Sequence, residues 1–105
     1  MPVQTGPYIA EAPLAVVVVI ESTTYSVSDG SRAIQSMMLT AWEEGIGSNW
    51  VGYLGFEDVK PLLNIPDELE VLAILPFGYP RQTTGKGKKR RKAASMVIHR
   101  ERFGQ

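Results

Sequence analysis

The order of the apolar segments predicts a layered fold, α/β or α+β, with helices packed against a small sheet. Three observations carry this. Residues 14–20 and 69–77 are apolar runs of strand length, and residues 30–44 between them carry apolar side chains at helical spacing. The chain has 105 residues, 44% of them hydrophobic, so it is expected to form one unit over residues 1–105. A domain of this size buries a modest share of its surface and is only marginally stable alone.

Each element has a local cause. Residues 1–13 include Pro2, Pro7 and Pro13 and form an extended lead-in. The run Leu-Ala-Val-Val-Val-Val-Ile over residues 14–20 is β-branched and unbroken, not alternating. That pattern belongs to a strand covered on both faces, as at the centre of a sheet. Ser28 or Asp29 is suited to accept hydrogen bonds from the first free amides of the helix that follows. Within it Ala33, Ile34, Met37, Met38 and Ala41 form one stripe, widened by Leu39 and Trp42. Arg32, Gln35, Glu43 and Glu44 lie off that stripe, and Gly45 stands where a C-terminal cap belongs. The stripe suits a core or a dimer surface better than a cofactor contact.

Residues 47–55 read as a loop in which Gly47, Gly52 and Gly55 let the backbone approach a neighbour closely. Residues 56–63 suit a short helix ended by Asn64-Ile65-Pro66. The second strand follows and stops at Gly78-Tyr79-Pro80. Two strands are too few to stand alone, so a partner chain, or more of this one, is expected to complete the sheet.

Charge divides the chain. Residues 1–80 hold ten Asp and Glu against two Lys and Arg, whereas residues 81–105 hold nine bases against Glu101 alone. Lys86, Lys88, Lys89, Arg90, Arg91 and Lys92 fall within seven positions of this C-terminal arm. A solvated tail, an acidic partner, the chain's own acidic body, a phosphorylated ligand and a nucleic acid all fit such a run. Nucleic acid is the weaker of these, because no groove-reading helix or RNA-type aromatic motif accompanies the run, and Tyr79 and Phe103 lie outside it.

Other classes are excluded. There is no cysteine, which removes disulfides, thiolate metal sites and thiol nucleophiles. His99 is the only histidine, so neither a metal site nor a catalytic triad is expected on it. No apolar run approaches the roughly 20 residues that span a bilayer, and no basic-then-apolar leader opens the chain. A cytoplasmic protein without a membrane partner is expected.

Taken in order, several motifs resemble the C-terminal half of the flavin-dependent nitroreductase family. They are Ala12-Pro13 before the first strand, Asp29-Gly30 at the helix, and residues 33–41, Ala-Ile-Gln-Ser-Met-Met-Leu-Thr-Ala. Gly45-Ile46-Gly47-Ser48-Asn49-Trp50, Leu62-Leu63-Asn64-Ile65-Pro66, Pro76-Phe77-Gly78-Tyr79-Pro80 and Lys89-Arg90-Arg91 ahead of Val97-Ile98-His99 complete the set. The resemblance implies an α+β fold with a mixed sheet flanked by helices. It implies a homodimer binding FMN at the subunit interface and moving a hydride from NADH or NADPH to a nitroaromatic, a quinone or a similar small acceptor.

By that resemblance Arg91 and Lys89 would meet the flavin phosphate, Gly52, Tyr53 and Leu54 would lie near the isoalloxazine ring, and Val97-Ile98 would reach over the other subunit. The family's N-terminal phosphate motif is not found, Met1 falls just before the middle strand, and Ala93-Ala94 stand where Pro-Leu is common. The expected function is thus an oxidoreductase completed by a dimer mate or second chain. The rival expectation is an inactive remnant or interaction module that keeps only the dimer surface.

Overall fold

A computed structural model describes residues 11–52, 58–82, 87 and 89–105. Strand β1 (Leu14–Glu21) leads to helix α1 (Ser26–Glu43), then to the two-residue strand β2 (Gly47–Ser48). A short helix α2 (Val59–Leu62), strand β3 (Leu69–Gly78) and a single turn of helix α3 (Ala94–Val97) follow. The strands form one sheet in the order β1-β3-β2, antiparallel at both pairings. Helices beside an antiparallel sheet make the α+β class. The mixed pairing expected of the whole sheet has no parallel member among these three strands.

The centre of the sheet is β3, not β1. β1 was expected to be covered on both faces, but it lies at the end of the described sheet and none of its residues is fully buried. In β3, by contrast, residues 73–77 are buried without interruption. Apolar side chains lie on both sides of it. Ile34, Ala73, Leu75 and Phe77 form one cluster under α1, joined by Val16, Val18, Met37, Met38 and Ala41. Val51, Val59 and Ile74 form a second cluster with Ala15, Val17 and Val71. A continuous apolar run therefore marks two-sided covering at β3, while β1 has helix cover on one face and a thinner layer on the other.

One irregularity sets the geometry of the sheet. Val18 pairs with Ala73 and Val19 with Val71, so Leu72 is an extra residue in β3. Such a bulge puts two neighbours on one face. Leu72 and Ala73 both pack toward α1, whereas Val71 belongs to the opposite cluster. Gly30 of α1 meets this point: a Cβ there would fall 2.6 Å from Leu72 Cδ2 and 3.0 Å from Ile20 Cγ2. Gly30 thus serves the contact of helix and sheet, in the second turn of the helix.

Helix α1 starts a turn before the expected cap. Ser28 and Asp29 are inside it, and no side chain caps its first residue. Ser26 is instead engaged with the preceding turn, its hydroxyl donating to the Thr23 carbonyl at 3.0 Å and accepting the Thr23 N–H at 3.2 Å. Asp29 remains in the first turn, where a carboxylate is favoured by the helix dipole. The other end matches expectation. Gly45 has φ +82, its N–H donates to the Trp42 carbonyl at 2.9 Å, and the Ile46 N–H donates to Ala41 at 2.9 Å. This is a Schellman closure with Ile46 in the apolar cluster of Ala41. Helix α2 ends the same way, with Asn64 at φ 59 and the Ile65 N–H donating to Lys60 at 2.8 Å. The left-handed Asn64, not Pro66, is what stops it.

The Cα radius of gyration is 17.3 Å, against about 13 Å for a compact domain of this length. Leu39, Trp42, Met96, Val97, Ile98 and Phe103 are each more than half exposed. No described helix is long and apolar enough to cross a membrane.

Candidate functional site

The segment after α1 is the part of the expected site that the fold arranges most clearly. It was expected to be a loop, but its first half is an edge strand. Gly47 pairs with Gly78 and Ser48 with Phe77. Val51 pairs with Ile74 through reciprocal hydrogen bonds of 3.0 and 2.8 Å. All three pairs share one register, which sets Asn49 opposite Pro76. Pro76 has no N–H to donate, so the ladder breaks there and resumes at Val51. Glycine and serine carry no strand signal of their own, and the pairing comes from β3.

Gly52 follows immediately. A Cβ at this position would fall 2.5 Å from Trp50 Nε1 and 3.2 Å from its Cδ1. The indole therefore lies against the bare backbone of Gly52, while Trp50 itself is 39% exposed. Val51 between them is buried. Tyr53 and Leu54, the other two residues expected beside the ring, lie outside the described residues.

Two grooves open around the C-terminal end of β3. The larger, about 580 Å³, runs between α1 and the sheet and has an apolar floor of Leu14, Val16, Met37 and Phe77. Its polar margin is Ser36, Thr40 and Glu44. The smaller, about 400 Å³, is bordered by Gly47, Ser48, Asn49, Glu11 and Arg81. Pro13, Phe77, Gly78 and Tyr79 border both. Sequence reasoning missed these margin residues. Ser36, Thr40 and Glu44 recur every four positions beside the apolar stripe of α1, a signal that was available. Nothing in the residues around it distinguished Arg81 from the remaining bases.

The arm is exposed. Lys89, Arg90, Arg91 and Lys92 precede α3 outside helix and strand, all at the surface, and none forms an ion pair with another described residue. Neither Lys89 nor Arg91 borders either groove, and nor does Gly52. The arm ends in a small closed turn. Gly104 N–H donates to His99 Nδ1 at 3.0 Å, Arg100 N–H donates to the Gln105 carbonyl at 3.1 Å, and the Phe103 ring lies 4.4 Å from that of His99. No cluster of three potential metal ligands occurs among the described residues.

The nitroreductase family model matches residues 7–79. The chain belongs to the nitroreductase family. A Methanothermobacter thermautotrophicus protein, provisionally named an NADH dehydrogenase/NAD(P)H nitroreductase, is 30% identical over 89 residues, which is 76% of this chain and 47% of that protein. Iodotyrosine deiodinase of Thermotoga neapolitana is 37% identical over 75 residues, covering 70% of this chain and 40% of the relative. Among solved structures, iodotyrosine deiodinase bound to FMN and 3-iodo-L-tyrosine superposes with a TM-score of 0.76 at 30% identity. That match covers 92% of this chain and 51% of the deiodinase. The chain thus spans about half the length, or less, of these relatives.

Proposed function

We propose that this chain serves an FMN-dependent NAD(P)H oxidoreductase of nitroreductase type, supplying one portion of the flavin site while a second chain, in a homodimer or a complementing pair, supplies the rest. The observation that carries this reading is the likeness, over 92% of the chain, to a family structure bound to FMN. When bound, FMN supplies the two-electron transfer between a nicotinamide donor and the acceptor, and the protein supplies orientation and electrostatics.

The residues present fit such a group. At Gly52 the absence of a side chain makes room for the Trp50 indole, which lies against the backbone there. In this reading the isoalloxazine ring lies near Gly52, Tyr53 and Leu54, as the family resemblance implies. Lys89 and Arg91 are exposed cations that form no ion pair with another described residue, suited to a phosphate, and Arg91 can grip it with two parallel hydrogen bonds. Residues 81–105 act in this reading as a basic arm on a unit that spans residues 1–105.

The deiodinase likeness favours a second acceptor class, a halogenated phenol related to tyrosine, beside nitroaromatics and quinones. Titrating FMN into the purified chain and following flavin fluorescence tests the cofactor. Quenching that Arg91→Gln weakens supports the reading. Undiminished flavin fluorescence, with no NAD(P)H oxidation when a full-length relative is added, leaves the interaction module as the function. Iodide release from 3-iodotyrosine, set against nitro reduction, separates the two acceptors.

A further inference from the structure

Trp50 carries a hydrogen-bond donor that the fold leaves without an acceptor. An indole N–H can only donate, and no hydrogen bond among the described residues uses this one. A tryptophan set into a fold normally finds a partner for the group. At 39% exposure the side chain is still partly open to water, which can serve the N–H until something covers it.

The donor is held in place by its neighbours. Val51 is buried with Val59 and Ile74, and its two hydrogen bonds to Ile74 pin the chain next to Trp50. Neighbours in an extended segment face opposite ways, and the indole accordingly lies over Gly52. The place of a Gly52 Cβ is 2.5 Å from Nε1, 3.2 Å from Cδ1 and 3.5 Å from the Leu72 carbonyl oxygen. The indole thus turns its nitrogen edge, not its benzene edge, toward Gly52. Of the three residues that the family resemblance sets beside the isoalloxazine ring, Gly52 is the described one.

A ring brought against Gly52 takes water away from this N–H. A donor stripped of water and left unpaired weakens binding by roughly 5- to 150-fold. The isoalloxazine offers acceptors at one end, the carbonyl oxygens and unprotonated nitrogens of its pyrimidine part, and none at its dimethylbenzene end. We propose that the Trp50 indole N–H donates to an acceptor on the pyrimidine end of the bound flavin and so sets which end of the ring faces Gly52. The inference rests on the flavin reading and adds to it a donor and an orientation.

The chain has two tryptophans, Trp42 and Trp50, so nitrogen-15 NMR of the full chain gives two indole N–H signals, told apart with Trp42→Phe. Adding FMN is expected to shift the Trp50 signal and leave that of Trp42 in place. Trp50→Phe keeps an aromatic ring and deletes the donor. It is expected to weaken FMN binding roughly 2- to 12-fold, the worth of one neutral hydrogen bond. Riboflavin, which has no phosphate, is expected to suffer the same loss in Trp50→Phe and none in Arg91→Gln. Circular dichroism verifies that the phenylalanine variant keeps the parent fold, and the NMR experiment needs no change at residue 50. Equal or tighter flavin binding by Trp50→Phe overturns the inference, because an unpaired donor is better removed. So does FMN binding that leaves the Trp50 signal unmoved, or a Trp50 signal that moves on dilution of the flavin-free chain instead, which marks a subunit contact. No binding of FMN or riboflavin, by the chain alone or mixed with a full-length relative, overturns the flavin reading itself and this inference with it.

Discussion

Replacing Gly45 by alanine isolates the energy of one backbone angle. Gly45 has φ +82, and no atom outside its immediate chain neighbours lies within 4 Å of where a Cβ would stand. No collision occurs, so the cost is that of holding an L-residue in left-handed geometry, about 1–2 kcal/mol. Alanine also restricts the unfolded chain, which returns about 0.4–1 kcal/mol. The net loss is about 1 kcal/mol, or 4–8 °C in Tm for a chain of about this size. Thermal unfolding followed by far-ultraviolet circular dichroism measures it. Gly45→Asn is expected to lose much less, since asparagine tolerates this region. Gly104→Ala, at φ +92 in the terminal turn, is expected to leave the main transition unmoved. A Gly45→Ala protein melting with the parent, or an asparagine variant falling as far as alanine, would refute the Schellman closure as the stop of α1.

Other positions test other parts of the structure. Ile34→Ala removes the one fully buried side chain of α1 and is expected to cost about 2–5 kcal/mol, a large part of a small domain's stability, read as a lower urea midpoint. Ser22→Ala removes an exposed 2.9 Å hydrogen bond to Glu70 and should change stability by no more than about 0.5 kcal/mol. Gly52→Ala forces the Trp50 indole to move, so a change in tryptophan emission should accompany weaker FMN binding. If Arg91 holds the flavin phosphate as proposed, Arg91→Gln removes a charge-assisted contact of about 1.5–3 kcal/mol and FMN affinity measured by fluorescence titration falls roughly tenfold or more.

How much of this was legible in the sequence varied with the kind of signal. The period of Ala33, Ile34, Met37, Met38 and Ala41 reported α1, and Gly45 reported its end, because both are local properties of the chain. The start of α1 was not legible. Ser26, Ser28 and Asp29 are all capable caps, and the choice was made by the hydrogen bonds of Ser26 to Thr23. Apolar runs located β1 and β3 but did not rank them: both look two-sided, and only the order β1-β3-β2 puts β3 at the centre. β2 left no trace, since Gly47 and Ser48 become a strand only by lying along Gly78 and Phe77. Glycine at 52 makes room for the Trp50 indole, a contact that no local pattern announced. Lys89 and Arg91 proved exposed and clear of both grooves, because a charged side chain's target cannot be read from its own neighbours in sequence.

The bulge at Leu72 has a consequence for how the chain can change. Ladder pairing between β1 and β3 does not need Leu72, since Val18 and Val19 already pair with Ala73 and Val71 around it. Its side chain projects instead into the notch that Gly30 leaves in α1. The two positions act as wedge and slot, fixing how near the helix rides above the sheet. Their substitutions are therefore expected to be epistatic. A Cβ at residue 30 is harmful with leucine at 72 and far less so once that leucine is shortened, so Gly30→Ala and Leu72→Ala together should cost less than the sum of the two alone. A lineage that alters one position opens a path for altering the other.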